Sequence, residues 1–440
     1  MGVDQRAERE SSSVAAEQQE SIAWPLEFSH LLAIGRSTAP SAPLHRTSPG
    51  SRTKPLVNIF SLRTATWLGA TVVAAGLLGS AGCSSSSSST PSTSATPKTF
   101  TVKQIILGET MKHSFQPNGT GAMQTEHLVQ PDDIVAVGGH LYVGFQNNVG
   151  SQGEVSGSGN LDSTLVEFTP TGSVVKQWDV KGKIDGMGAD PATGQVFASV
   201  NEDSNSSLYV ESGGTITHYT YTQSPLPHKG GTDAVSVYNG KILISASAPG
   251  TSGTAPKDAP AVYVVTLNAA AKTATVTPFF AINASATAVN GTNAGKTVTL
   301  ALTDPDSNMV MPSSSAKFAG DFMLNSQGDL QLIFSGPSGQ NLQVVKLSQS
   351  VDDSAVATSA SGTLYTTDSS ADSVDAITGP FKAGTVYTAI TPCNANSAPT
   401  TCPNPPAWPV NSLGTINLTT GAVTTIYHGP LTPKGMVFVP

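Results

Sequence analysis

The feature of this sequence that most restricts its fold is a repeated pattern. Each copy has an acidic residue, an alternating apolar segment, a glycine-containing turn and a second apolar segment. Clear copies follow Asp133 (IVAVGGHLYVG), Asp185 (GMGADPATGQVFAS), Asp233 (AVSVYNGKILIS) and Asp353 (SAVATSASGTLYT), and a looser copy follows Asp306 (SNMVMPSSSAKFAGDFML). Period-two alternation bounded by glycine-rich turns predicts β-hairpins. This part of the chain therefore predicts an all-β fold.

Second hairpins lie between the copies, namely Ser163 to Trp178, Ala261 to Phe279 and Ser412 to Tyr427. Two hairpins give four strands per unit, and the acids recur roughly every 50 residues, which predicts a β-propeller with four-stranded antiparallel blades. The longer interval between Asp233 and Asp306 indicates an insertion, which we place at 281–295. The length fits six or seven blades, and six once the insertion is subtracted.

The chain ends in a fragment of the same pattern, with Lys434 in the place of the acid. We expect the terminal strand at 435–440 to pair with N-terminal strands such as 100–107 in one mixed blade. Such a blade closes the ring and removes free sheet edges.

The pattern resembles the broad group of bacterial NHL, YncE-like and lactonase-like β-propellers, particularly in TLYTTDSSADSVDAITGPFKAGTVYTAI (363–390). The resemblance covers nearly all of the chain beyond the first hundred residues. It implies a fold and leaves the function open, because propellers carry unrelated functions.

If the repeated acids begin the innermost strands, they ring one mouth of the central channel. The acids concerned are Asp133, Asp185, Asp233, Asp306 and Asp353. They have two interpretations: caps that bond to backbone N–H groups, or ligands of a cation such as Ca²⁺. The resemblance to lactonase-like propellers implies a calcium at this place. Oxygen-rich segments at 201–205 and 304–308, and His228 before Asp233, are further candidates that we interpret first as turn-forming loops.

The N-terminal part carries a different signal. Residues 65–82 form an apolar run led by Arg63 and followed by Cys83 and six serines, which indicates an export signal. This arrangement resembles bacterial lipoproteins, which implies that Cys83 becomes the first residue of the mature chain and carries the lipid. Ser80 stands where a branched apolar residue is usual, so cleavage without lipid attachment and an uncleaved anchor remain open.

These patterns divide the chain into four parts. Residues 1–56 are expected to be a disordered extension or a mis-assigned start, and residues 57–83 the signal peptide. Residues 84–98 are a Ser/Thr/Pro tether, and residues 99–440 the propeller domain.

Cys393 and Cys402 remain as an isolated pair in a Pro- and Asn-rich loop. Export to an oxidising compartment predicts a disulfide between them. A metal site is the alternative, but no histidine or third cysteine lies nearby in the sequence to complete it.

Taken together, the sequence predicts a binding or scaffolding module of the cell envelope, anchored to the membrane by lipid. We expect a monomer without a cofactor or catalytic residue, with a protein, glycan or small molecule as its ligand. A net charge of −8 argues against nucleic acid as a partner. The alternative function is a calcium-dependent hydrolase of the lactonase or esterase type, and the alternative location is secreted or periplasmic. Hydrolase motifs such as Gly-x-Ser-x-Gly do not occur.

Overall fold

A computed structural model describes residues 99–250, 253–391, 412–427 and 429–440. These residues form β-strands and three short 3₁₀ helices, Gly108–Thr110, Pro117–Gly119 and Gly291–Asn293, without an α-helix among them. In this part of the chain no helix is long and apolar enough to span a bilayer. The leader, signal peptide, tether and cysteine loop predicted from the sequence lie outside the described residues.

The first strands form an outer edge strand and a small hairpin: β1 Thr101–Leu107, β2 Lys112–Phe115 and β3 Gln124–His127. Blade 1 follows with β4 Pro131–Val137, β5 His140–Phe145, β6 Asp162–Phe168 and β7 Val174–Lys181. Its strands pair in chain order and antiparallel, with β4 innermost.

Blades 2 and 3 repeat this order. Blade 2 has β8 Ile184–Asp190, β9 Gln195–Val200, β10 Ser207–Ser212 and β11 Thr215–Tyr221. Blade 3 has β12 Val235–Tyr238, β13 Lys241–Ser245, β14 Pro260–Asn268 and β15 Thr273–Ala281. Their outer strands β11 and β15 share a short parallel pairing, which joins the two blades into one eight-stranded sheet.

Blade 4 carries the insertion that the sequence predicts. A hairpin of β16 Ser285–Ala288 and β17 Thr297–Thr299 precedes the blade proper. The blade consists of β18 Pro305–Val310, β19 Phe322–Ser326, β20 Gln331–Ser335 and β21 Leu342–Lys346. Strand β16 adds to the outer strand β21 in parallel, so the inserted residues widen this sheet to six strands.

Blades 5 and 6 exchange strands. The chain continues as β22 Val351–Val356, β23 Thr363–Asp368, β24 Ser373–Thr378, β25 Val386–Ile390, β26 Ser412–Ile416, β27 Val423–Tyr427 and β28 Pro433–Val439. Blade 5 has the order β22-β25-β26-β27, and blade 6 has the order β28-β23-β24-β1. The chain therefore crosses to blade 6 for two strands and returns to finish blade 5.

This exchange corrects two predictions. The copy after Asp353 does not form its own hairpin, because β22 pairs with β25 and the connection at 357–362 leads into the next blade. Gly362 permits this crossing, since a Cβ there would meet the backbone of the terminal strand at 2.5 Å from Val439 O. The two chain ends do share one blade, as predicted. They lie at its opposite edges, however, with β23 and β24 between them.

The ring has six blades. Each inner strand contacts the inner strand of the next blade, and β28 contacts β4, which closes the circle. Six clusters of buried hydrophobic side chains fill the six spaces between neighbouring blades. Hydrophobic side chains reach both spaces beside a blade because successive residues of each β-strand point to opposite faces of the sheet. Both faces of every blade are covered by a neighbouring blade. The inner strands thus have a fixed position around the central channel.

Candidate functional site

The inner strands share a local irregularity where the repeated acids lie. In five of the six blades the register between the first and second strand shifts, with the shifts at Pro131/Ile134, Ile184/Met187, Pro305/Asn308, Val351/Ser354 and Thr366/Asp368. The last shift lies opposite Pro433 to Met436. Such β-bulges bend a strand and redirect a side chain. Each bulge contains the acid of its blade, or Lys434 in blade 6, and turns it towards the channel.

A cavity of about 610 Å³ lies at this end of the channel. All five acids predicted from the sequence line it. The charged lining consists of eight carboxyl groups and two lysines, namely Asp132, Asp133, Asp185, Glu202, Asp233, Asp306, Asp352, Asp353, Lys183 and Lys434. The sequence analysis missed Asp132, Asp352 and Lys183, whereas Glu202 lies in the oxygen-rich segment 201–205 that it had named as a further candidate. The doublets at 132–133 and 352–353 are the signal that could have revealed two of them.

Asp133 and Asp353 connect neighbouring blades. Asp133 accepts the backbone N–H of Ile134 at 2.7 Å and that of Met187 in blade 2 at 2.6 Å. Asp353 accepts the backbone N–H of Met436 in blade 6 at 2.7 Å. Burial raises the pKa of Asp133 well above its usual range and that of Asp353 to about 7, against the effect of these donors. Both carboxyl groups therefore hold bulges of adjacent blades together.

Asp185 belongs to a charged network between blades 1 and 2. Lys183 Nζ lies 2.6 Å from Asp185 Oδ1 and 2.7 Å from Glu202 Oε1. Gln146 Nε2 lies 3.1 Å from the same Asp185 oxygen, and the other oxygen accepts the Glu202 N–H at 3.1 Å. Burial alone would lower the pKa of Lys183, but the charges of Asp185 and Glu202 raise it above its usual range. The lysine is therefore a fixed cation that neutralises this part of the wall.

Lys434 has the same role between blades 6 and 1. Its Nζ lies 2.6 Å from Asp132 Oδ1. The charges of Asp132 and then Asp352 raise the pKa of Lys434 well above its usual range, against the effect of burial. The cation at the sixth position of the ring thus bonds to Asp132 of the first blade, the neighbour of its repeated acid.

Asp233 and Asp306 lie on blades 3 and 4, across the ring from the Lys434 contact, and their carboxyl groups interact directly. Burial raises the pKa of Asp233 to about 8, and burial together with the charge of Asp233 raises the pKa of Asp306 well above its usual range. The Oδ2 atom of Asp306 is buried and has no hydrogen-bond partner among the described residues. Two adjacent carboxyl groups cannot both ionise at low cost, so the pair retains a proton.

Two other candidates from the sequence, Asn308 and His228, are structural. Asn308 donates to Ala234 O at 2.6 Å and to Ser245 Oγ at 2.8 Å, and so joins blade 4 to blade 3. His228 is fully buried beside the loop backbone, with Nδ1 2.7 Å from Tyr263 Oη and Nε2 2.6 Å from Gly231 O. Burial lowers the pKa of His228 to about 4, so this histidine is neutral and fixes its loop.

Two expected features cannot be placed. Cys83, the expected lipidation residue, and the expected Cys393–Cys402 disulfide lie outside the described residues. Both remain predictions from the sequence.

The donor set does not match what a calcium ion requires. Calcium takes six to eight oxygen ligands that converge on one point. Oxygens of Asp133, Asp185 and Asp353 are instead bonded to backbone N–H groups or to Lys183. Among the described residues, no three His, Cys, Asp or Glu side chains are grouped so that they could hold a metal ion. The arrangement instead offers a large, negatively charged cavity with fixed walls.

Comparison with known proteins adds little beyond the fold. No family model matches the chain, and no curated protein matches it. The chain is similar to a solved protein of unknown function from Bacteroides thetaiotaomicron, with 13% identity and a TM-score of 0.39. The match covers 76% of this chain and 66% of that protein, so this chain spans just under two thirds of the length of that protein. It is also similar to a streptogramin B lyase, with 10% identity and a TM-score of 0.36 over 77% and 91% of the two chains. A chain of a nidogen/laminin complex gives 8% identity and a TM-score of 0.39 over 78% and 98%. Similarities this distant carry nothing about function; the six blades and the closed ring themselves establish the chain as a β-propeller.

Proposed function

We propose that this protein is a binding module of the cell envelope that takes a small molecule into the cavity at the mouth of its central channel. The observation that supports this proposal most directly is the cavity itself. Its volume of about 610 Å³ lies within the range of roughly 300–1,000 Å³ for small-molecule sites. Charged groups and apolar side chains both line it, which is the mixture that such sites use.

The positions of the acids support binding rather than hydrolysis. A hydrolase of the lactonase type needs a metal that polarises the substrate carbonyl. The acids of this cavity bond to backbone groups of adjacent blades, and their geometry does not favour a metal site. They give the wall its shape and its charge, which are the properties that a binding site requires.

Attachment to the membrane through Cys83 is a further part of the proposal. It rests on the sequence alone, namely the apolar run and the serine tract on either side of that cysteine. Labelling of the protein by radioactive palmitate, abolished in Cys83→Ser, is the expected result. A Cys83→Ser variant that keeps its label would contradict it.

The central experiment separates binding from catalysis. Purified protein is screened for thermal stabilisation by small amines, alcohols, carboxylates and sugars, and the same preparations are assayed for lactone and ester hydrolysis with and without Ca²⁺. We expect saturable stabilisation by at least one class and no turnover. Calcium-dependent hydrolysis that is lost in Asp233→Ala, but kept in the exposed control Asp258→Ala, would show that the protein is an enzyme.

A further inference from the structure

The cavity has an uneven distribution of charge. Lys183 is bound to Asp185 and Glu202, and Lys434 to Asp132, so both cations are engaged on blades 6, 1 and 2. Blades 3 and 4 contribute Asp233 and Asp306 to the same cavity. The strongest neighbouring charges that act on Asp233 are those of Glu202, Asp132 and Asp133, all negative. Both lysines of the wall thus pair with acids other than Asp233 and Asp306.

One oxygen of this pair lacks a donor. Asp306 Oδ2 is buried, and no N–H or O–H group of the described residues donates to it. A buried carboxyl oxygen without a partner costs about 1–3 kcal/mol or more, so a ligand that brings a positively charged N–H donor relieves that cost.

The wall beside the pair is apolar. Val237 lies on the same inner strand that Asp233 precedes, Met309 lies on the strand of Asp306, and both side chains line the cavity and are partly exposed. At about 3.3 Å per residue, Val237 lies up to roughly 13 Å along the strand from Asp233. A ligand held at the acids can therefore place an apolar chain of several carbons against this wall.

We propose that the cavity binds an amphiphilic organic cation, a primary ammonium with an apolar chain. The ammonium lies between Asp233 and Asp306, and the chain runs along Val237 and Met309. This inference rests on the proposed function and names the class of its ligand. A bare metal ion is less suited, because it neither fills a cavity of this size nor uses the apolar wall. A carboxylate ligand is unsuited, because both lysines of the wall are already bonded to acids.

The test is calorimetry on the full-length protein at pH 7 with hexylammonium, butylammonium, hexanol, hexanoate and CaCl₂ as probes. We expect hexylammonium to bind, and to bind about fourfold more tightly for each methylene added to butylammonium. Hexanol and hexanoate are expected not to bind at the same concentrations. Because the ammonium replaces a shared proton, binding should release about one proton, measured from the dependence of the heat on the buffer.

The decisive variant is Asp306→Asn. Its amide can donate to Asp233 in place of the shared proton, so we expect a folded and thermally stable protein. Hexylammonium binding should weaken about thirtyfold or more, the size expected for loss of one partner in a buried charged contact. Asp258→Asn removes an exposed carboxylate outside the cavity and should bind as the unaltered protein does.

Four results would overturn the inference: equal binding of hexanol or hexanoate, affinity independent of chain length, Ca²⁺ binding that is lost in Asp306→Asn and blocks hexylammonium, or no binding of any ammonium. If a neutral or anionic compound binds in the cavity instead, the proposed binding function stands and only the ligand class fails. If no compound of any class binds or stabilises the protein, both fail.

Discussion

The shared proton of Asp233 and Asp306 makes a quantitative prediction about pH. Burial raises the pKa of Asp233 from 3.8 to about 8 in the folded protein. Between these values the unfolded chain has lost a proton that the folded protein still holds. The free energy of unfolding therefore falls as the pH rises, and the full stabilisation is present only below the unfolded pKa.

The size of the effect follows from one proton. One proton corresponds to about 1.4 kcal/mol per pH unit, or about 2.7 kcal/mol between pH 5 and pH 7. Residues 99–440 form a domain of roughly 340 residues, for which an unfolding entropy of about 2.1 cal/mol/K per residue converts this loss into a fall of about 4 °C in Tm. Asp233 is only 6% exposed, so solvent screening reduces this value little. Asp353, with a pKa of about 7, acts in the same direction.

The assay is thermal unfolding followed by circular dichroism at pH 5, 6 and 7 at constant ionic strength. Asp306→Asn removes one of the two carboxyl groups that hold the proton, and the pKa of Asp306 is itself raised well above its usual range, so the decrease in Tm should be about 4 °C smaller than in the unaltered protein. Asp258→Asn serves as the control, because its carboxylate is exposed. A Tm that rises from pH 5 to pH 7, or an Asp306→Asn variant with an unchanged slope, would refute the shared proton.

Three further predictions concern other parts of the ring. Gly435→Ala should destabilise the protein by about 1–3 kcal/mol or more, measured by urea unfolding, because a Cβ there would lie 2.4 Å from Asp132 O of blade 1. The control is Gly157→Ala, which has open space around it and should leave the urea midpoint nearly unchanged. Lys183→Met should lower the free energy of unfolding by about 3–5 kcal/mol at pH 7, because it leaves the buried carboxylate of Asp185 without its cation. Urea unfolding should show a smaller loss at pH 5, where the Asp185 carboxyl takes a proton. Equal losses at the two pH values would contradict the pairing. Tyr263→Phe should lower the free energy of unfolding by about 1–3 kcal/mol, because the buried His228 Nδ1 loses its hydrogen-bond donor. A calorimetric Tm equal to that of the unaltered protein would show that the tyrosine hydroxyl does not stabilise this histidine.

The sequence was informative about the fold because a propeller repeats one pattern. The acids at 133, 185, 233, 306 and 353 correctly marked five inner strands, and Lys434 marked the sixth. The insertion followed from the spacing, which allowed six or seven blades and favoured six. These features depend on local alternation and turns, which a single sequence displays directly.

The remaining features depend on contacts between distant residues. The exchange of strands between blades 5 and 6 leaves no local trace, since a hairpin and a crossing both begin with an apolar segment and a glycine. The bonds from Asp133 to Met187 and from Asp353 to Met436 join different blades, so no repeat unit reveals them. One signal was available: Gly-Met follows both Asp185 and Lys434, and the backbone N–H of each of these methionines donates one of the two bonds.

The pairing of the cavity acids with lysines could not be predicted from the sequence either. The sequence predicts a ring of acids, but which of them obtains a lysine depends on how the bulges turn in space. Lys183 and Lys434 are far apart in the chain, and only the closed ring places them on one side of the cavity. The unequal wall, on which the proposed ligand class depends, is thus a property of the assembled fold.

The order of the strands in blade 6 also sets the order in which the molecule can be completed. A ribosome makes the outermost strand, β1, first and the innermost strand, β28, last, with the rest of the propeller between them. Until β28 emerges, the channel lacks one wall, and both blade 1 and blade 5 present an uncovered face. Every stage of synthesis before β28 is an open arc, so the complete cavity can exist only once β28 has joined the ring.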